Sequence, residues 1–377
     1  MSDDDLTPEF DRVPEAKHPR HTEQLLGQDG PEATFLTAYT SSRLHHGWLI
    51  SGPRGIGKAT LAWRIARFLL AQPAASDGLF GDAPQMPTSL DIPPDHPVAR
   101  RTAALSEPRL FLLRTNWNAE KKRFNQGIVV EDARKLKAFF NLSAADGGRR
   151  VVIVDSADDL NVSAANALLK FLEEPPDDVI ILLVCHQPSR LLPTIRSRCR
   201  ELRCAPLSAS DLARAMSAAG SDDSGDEKAL AELAGGSVGD AMRLNNLHGM
   251  DTYTQLVALF ATLPQLDRPS ALRLAESVAG RGKEQQVDLL VGLINQFIAR
   301  TARTGVSGPP LVQAAPGETK VLQRLAPTPD AGRKWAQLQQ VLSARAAHGR
   351  AVNLDPAALI LDMVFKINDL AAKLVAR

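Results

Sequence analysis

The chain has 377 residues, more than one ordinary domain, with 44% apolar residues and a formal charge of +1. That composition is globular with substantial cores, and the balanced charge excludes the overall basic field of a general nucleic-acid binder. Three cysteines, Cys185, Cys199 and Cys204, form no CxxC pair, which excludes a disulfide framework and predicts a reduced, cytoplasmic protein.

In chain order, residues 1–20 are polar and punctuated by proline. They lack the basic start and apolar stretch of a signal peptide and predict a disordered tail. GWLIS at 47–51 predicts a buried strand, followed by a glycine loop and a helix over 59–70. Residues 72–97 are rich in proline, glycine and small polar residues and predict a surface excursion. Residues 109–113 predict a strand, and 130–140 a helix with Leu136, Phe139 and Phe140 on its apolar side. RRVVIVD at 149–155 predicts a second buried strand ending in an acid; 163–174 predicts a helix stopped by Pro175 and Pro176. VIILLV at 179–184 predicts a third strand. β-rich runs alternating with helices argue for a parallel α/β sheet. Past Pro206 only helices are predicted: a small unit over 207–247, then a longer helical region with a flexible insert at 304–319. The last helix starts at Asp355, a capping residue, with Pro356 in its first turn. No apolar run reaches membrane-spanning length, so no membrane partner is expected.

GPRGIGKA at 52–59 fits a phosphate-binding loop except at its last position. Gly52, Gly55 and Gly57 would let backbone N–H groups turn inward around phosphate oxygens, and the helix that follows adds its positive end. Lys58 would set a point charge against the outer phosphates. Ala59 stands where a Ser or Thr hydroxyl normally binds magnesium. Thr60 is rotated by ~100° along the helix, so it does not replace that ligand, though it could touch an inner phosphate. Asp155 fits the strand-end acid that positions magnesium in such sites. The next residue, Ser156, is a poor base in place of a water-polarising glutamate. Asp158 and Asp159 are expected beyond the strand end, facing solvent or capping the next helix.

NALLKFLEEPP at 166–176 and the SRC segment LLPTIRSRC at 191–199 closely resemble the AAA+ clamp-loader family of bacterial DNA polymerase III. RLHHGWLISG at 43–52, LGQ at 26–28 and NLDPAALILD at 353–362 look like further elements of that family. The resemblance covers 26–244 with weaker similarity to the end. It implies an AAA+ core over 21–206, a helical lid over 207–248 and an all-α collar over 249–377. It also implies a place in a five-subunit ring with gamma/tau-type motor subunits and a delta subunit, acting on a sliding clamp and primed DNA. In such rings the SRC arginine reaches the neighbour's ATP site, so Arg198 would be an arginine finger acting in trans.

The family holds both ATP-hydrolysing motors and non-hydrolysing subunits of the delta-prime type. Ala59 and Ser156 depart from the motor pattern, and so does Gly239 in GSVGDA, where motors carry a second-sensor arginine. Together they remove metal binding, water activation and a phosphate contact. The nucleotide residues Gly52, Gly55, Gly57, Lys58, Thr60 and Asp155 leave room for ATP or ADP held without efficient hydrolysis. The family's four-cysteine zinc module has no cysteine here, so no zinc is expected. The alternatives are an active motor subunit, another AAA+ protein such as a Holliday-junction motor or helicase loader, and a scaffold without a nucleotide role. His45 and His46, being adjacent, are expected to point to different faces. Arg100, Arg101, Lys121, Lys122 and Arg123 read as a solvated loop rather than a DNA contact.

Overall fold

The computed structural model describes residues 9–12, 16–41, 43–72, 87–120, 122–141, 148–221 and 225–375. The chain divides into two compact units, Met1–Gly220 and Ser221–Arg377. In the first, the order is α1 (Asp29–Thr40), β1 (Gly47–Ser51), α2 (Lys58–Ala71), α3 (Pro97–Ala103), β2 (Leu110–Arg114), β3 (Trp117–Asn118), β4 (Arg123–Phe124) and α4 (Val130–Asn141). There follow β5 (Arg150–Asp155), α5 (Val162–Glu173), β6 (Val179–Cys185), α6 (Pro193–Arg196), β7 (Arg200–Arg203) and α7 (Ala209–Ala218).

Five strands stand in the order β2-β5-β6-β1-β7, and every neighbouring pair is parallel. Parallel neighbours need a crossover, and helices supply it on both faces of the sheet. β1 and β6 are buried at every residue, as expected of strands covered on both sides. Successive side chains point to opposite faces. Val151 and Ile153 pack with Phe35, Trp63 and Phe68 on one side. Val152 and Val154 pack with Leu136, Leu168 and Ile195 on the other. This is the parallel α/β arrangement expected from the sequence. Its parallel strands bring their exit ends to one edge, where Ser51, Asp155 and Cys185 lie.

Two stretches differ from expectation. The tail predicted over 1–20 is docked where it is described; residues 1–8 and 13–15 lie outside the described residues. Glu9 accepts from Arg20 and Arg114 at 2.5 and 3.0 Å, and Asp11 accepts from Arg114 at 2.5 Å. His18 Nδ1 accepts the Arg20 N–H, so its proton sits on Nε2, 3.0 Å from Asp11 Oδ2. Burial alone would raise the Asp11 pKa, but His18 and Arg114 outweigh it and hold the carboxyl below its ordinary value. Phe10 meets the edge of Phe124, and His18 that of Trp63. Of the 72–97 excursion, 73–86 lie outside the described residues, while Leu90 is buried and His96 caps α3.

The second unit is helical, with helices at Glu227–Ala234, Val238–Asn246, Gly249–Ala261, Arg268–Ser277, Glu284–Ser307, Glu318–Leu325, Pro329–Ala351 and Pro356–Val375. The division after Gly220 falls inside the 207–248 stretch expected to form one lid, because α7 clusters with the first unit. Phe260, Phe297, Leu322, Trp335 and Met363 are fully buried in this unit. The insert expected to be flexible over 304–319 is instead packed: Thr304 is buried on a helix, Ala314 and Ala315 are buried, and Glu318 is fully enclosed. Asp355 caps the last helix as predicted, accepting the Ala358 N–H at 2.9 Å.

Candidate functional site

The phosphate-loop pattern lies at the exit of β1 and runs directly into α2. Gly52 and Gly57 have φ of 142° and 97°, in the region that favours glycine. A side chain on Gly52 would also stand 2.6 Å from the Cys204 carbonyl oxygen. Gly55, with φ 74°, completes the set of loop glycines predicted from the sequence. Gln28, known from the sequence only as part of LGQ, holds this loop in place. Its amide Nε2 donates to the carbonyls of Ile56 (2.9 Å) and Ala205 (2.7 Å), and its Oε1 accepts from the Ala205 N–H at 3.2 Å. The loop is thereby tied to the exit of β7, whose Arg203 stands opposite Ser51.

Lys58 opens α2 and is 2% exposed. Its ammonium donates to the carbonyl of Pro53 within the same loop. Burial pulls its pKa down to about 8, against the pull of nearby acidic groups that include Asp155 and Asp158. Ala59 and Thr60 follow on the first turn, both half-buried. With a methyl at position 59, the turn offers no hydroxyl there for a metal.

Asp155 ends β5, with Arg114 of β2 as its register partner. Burial drives its pKa up to about 7, and the nearby Asp11 adds to the rise; Lys58, Arg114 and Arg54 pull the other way. Ser156 donates its hydroxyl to Asp159 Oδ2 at 2.6 Å, so it is engaged locally. The prediction for Asp158 and Asp159 is corrected here. Asp158 is 9% exposed and accepts the His186 N–H at 2.9 Å. Asp159 holds Ser156, and its carbonyl accepts the Ile128 N–H at 2.9 Å. The cap of α5 is Asn161, which accepts the Ala164 N–H at 2.8 Å.

His186 is the residue that the sequence reasoning missed. It follows β6 directly and so emerges at the shared exit edge between the strands bearing the loop and the acid. Burial, with Lys58 and Arg54 nearby, pushes its pKa well below the ordinary imidazole value, and its Nδ1 is buried without a hydrogen-bond partner among the described residues. The one signal for it was its place immediately after the apolar run 179–185.

Arg198 is separate from this edge. In the register of β7, Arg200 lies opposite Trp48 and Arg203 opposite Ser51, so Arg198 belongs to the entry side of the sheet. About 13 Å of strand separates Trp48 from Gly52, more than an arginine side chain spans. Arg198 forms an ion pair with Glu173, Nη2 standing 2.9 Å from Oε1, and its Nη1 donates to the Thr194 carbonyl at 3.1 Å; its side chain is 38% exposed. The structure thus gathers the loop glycines, Lys58, Thr60 and Asp155 at one edge and leaves Arg198 at the other.

The remaining side chains follow suit. Cys185 and Cys204 are buried and Cys199 half-buried; burial raises the pKa of the Cys199 and Cys204 thiols to about 12 and about 11, as structural thiols require. His45 and His46 do not point to different faces: their rings stack with centroids 4.3 Å apart, because each is anchored to backbone, at Gly47 and Leu172 respectively. Arg101 is paired with Glu107 at 2.7 Å, and Lys121 lies outside the described residues. Among the described residues, no helix is long and apolar enough to cross a membrane.

Comparison with known proteins agrees with this geometry. Residues 27–208 match the family model described as DNA polymerase III, delta subunit. The chain is 37% identical over 240 residues to the DNA polymerase III subunit delta' of Pseudomonas aeruginosa, covering 62% of this chain and 65% of that one. It is 32% identical over 171 residues to the delta' subunit of Yersinia pestis, covering 45% of each. Similarity to the DNA polymerase III subunit tau of Escherichia coli is 27% over 289 residues, covering 75% of this chain and 41% of that one. The chain therefore spans just under two thirds of the first of these relatives and less than half of the other two.

Proposed function

We propose, from the match of residues 27–208 to the family model of the DNA polymerase III delta subunit, that the chain is a clamp-loader subunit of the delta-prime kind. In this reading it is a stator: it lends Arg198 to the ATP site of a neighbouring gamma/tau-type motor subunit and does not fire its own site. It would assemble with those motors and a delta subunit, and through the assembly act on the sliding clamp and primed DNA. The first unit's core would carry the nucleotide fold; the helices beyond residue 248 would form the collar that joins the ring.

The observation that carries the reading is the position of Arg198 on the entry side of the sheet, opposite its own phosphate loop. An arginine there cannot reach the phosphate loop of its own chain, yet it is exposed enough to meet a partner. A guanidinium offered to the phosphoryl group of a neighbour stabilises the charge that builds during transfer.

The chain's own edge suits phosphate better than metal. Gly52, Gly55, Gly57 and Lys58 would hold the phosphates of ATP or ADP, with Thr60 near an inner phosphate and Asp155 beside them. Bound nucleotide would give Lys58 an anionic partner in place of the neutral Pro53 carbonyl. Ala59 and Ser156 count against turnover, and hence against the motor reading. The test is reconstitution with gamma/tau-type and delta subunits. Arg198→Ala should assemble normally and depress the ATPase of the loader; an unchanged rate in an intact assembly would remove the finger role.

A further inference from the structure

We infer that Glu173 is a positioning residue for Arg198, fixing the direction in which the guanidinium is presented to the neighbouring subunit. The inference rests on the trans role of Arg198 proposed above and extends it to a residue of the 166–176 helix segment.

Glu173 is the last residue of α5, and Pro175 and Pro176 keep the helix from continuing. A carboxylate at a helix C-terminus faces the negative end of the helix dipole, an unfavourable place unless a cation stands beside it. Arg198 is that cation, 2.9 Å away. The two side chains are 44% and 38% exposed, and an ion pair so open to water contributes little to folding. What the contact does fix is orientation. Glu173 holds Nη2 and the Thr194 carbonyl holds Nη1, so both ends of the guanidinium are restrained. An arginine has five N–H donors, and the one hydrogen-bonded to Thr194 leaves the others for an incoming phosphate oxygen. A guanidinium held in advance loses less freedom when it engages than one on a free side chain.

The base under this pair is rigid. His46 Nε2 donates to the Leu172 carbonyl at 2.9 Å and pins the end of α5 to the entry of β1. A side chain on Gly47 would lie 3.0 Å from Leu172 Cδ2 and 3.2 Å from the Arg198 carbonyl, so the absence of one lets helix end and arginine turn approach closely. Both partners of the pair are therefore mounted on the same packed corner.

The experiment is steady-state ATPase of the reconstituted loader, resolved into kcat and KM, for Arg198→Ala, Glu173→Gln, Glu173→Asp and the double variant Glu173→Gln/Arg198→Ala, with assembly checked by gel filtration. Arg198→Ala should lower kcat by at least about a third overall, because one motor site loses the finger, which is worth ~10³ or more in phosphoryl transfer. Glu173→Gln should lower kcat by a smaller factor with KM unchanged. Glu173→Asp, which keeps the charge, should recover part of the loss. The double variant should be no slower than Arg198→Ala alone, because Glu173 acts only through the arginine. If Arg198→Ala slows the loader but Glu173→Gln leaves kcat unchanged, raises it, or adds its own loss to the double variant, the positioning role is wrong and the finger stands. An unchanged kcat for Arg198→Ala in an intact assembly overturns both.

Discussion

Lys58 is hydrogen-bonded to the carbonyl oxygen of Pro53, inside the loop whose glycines 52, 55 and 57 have positive φ. The lysine and Asp155 are both buried at the same sheet edge and attract one another, yet each is pushed toward its neutral form, to pKa values of about 8 and about 7. Desolvation outweighs the attraction. The two charged side chains are therefore costly to keep at this edge.

Asp155→Asn should therefore stabilise the first unit at alkaline pH. The folded-state pKa of about 7 lies above the carboxylate's ordinary value, so the folded protein binds the extra proton between about pH 4 and 7. A group raised in this way stabilises the fold at low pH and loses that contribution as pH rises through the folded value. At pH 5, between the ordinary and the folded values, the advantage of the variant should be well below that at pH 8. At pH 8 it should be more stable by about 1–2 kcal/mol, less than the full burial term because Lys58 loses a partner. Urea unfolding at the two pH values measures this; a variant less stable than the parent at pH 8 would mean that Lys58 holds Asp155 ionised.

Glu318→Gln should destabilise the helical unit strongly. Glu318 accepts from Tyr253 at 2.6 Å, from Arg300 at 2.6 and 3.0 Å and from the Ala314 N–H at 2.7 Å, all of them buried. Arg300 has a second acid, Glu232, at 2.5 Å, but that residue is part-exposed and cannot replace the enclosed charge. Removing one partner of a buried pair costs about 3–5 kcal/mol, because the other charge stays enclosed. Urea unfolding is again the measurement, and a loss below about 1 kcal/mol would show that the network does not hold the 308–317 segment.

The sheet and the loop were legible in the sequence because their signals are local. GWLIS, RRVVIVD and VIILLV are apolar runs bounded by turn residues, and the glycine spacing of 52–57 lies within one short segment. The family resemblance rested on two further local segments, 166–176 and 191–199. What stayed hidden depends on distant partners. Glu9 and Asp11 lay in the tail predicted to be disordered, yet they are fixed by Arg114, 105 and 103 residues away. Glu318 lay in a stretch that read as a flexible insert because its partners Tyr253 and Arg300 come from other helices. Asp158 read as a solvent-facing acid because the backbone N–H that engages it belongs to His186, 28 residues on. The place of Arg198 on the entry side of the sheet needed the register of β7 against β1, which periodicity does not supply.

The central claim is that this chain offers an arginine to a neighbour and does not turn over ATP itself. Phosphate release by the purified full chain with magnesium and ATP tests it most directly, with Lys58→Ala measured in parallel. The account predicts no release above background for either protein, since Ala59 leaves no hydroxyl for the metal and Ser156 no base for the water. Magnesium-dependent release by the parent that Lys58→Ala abolishes would contradict it and make the chain a motor.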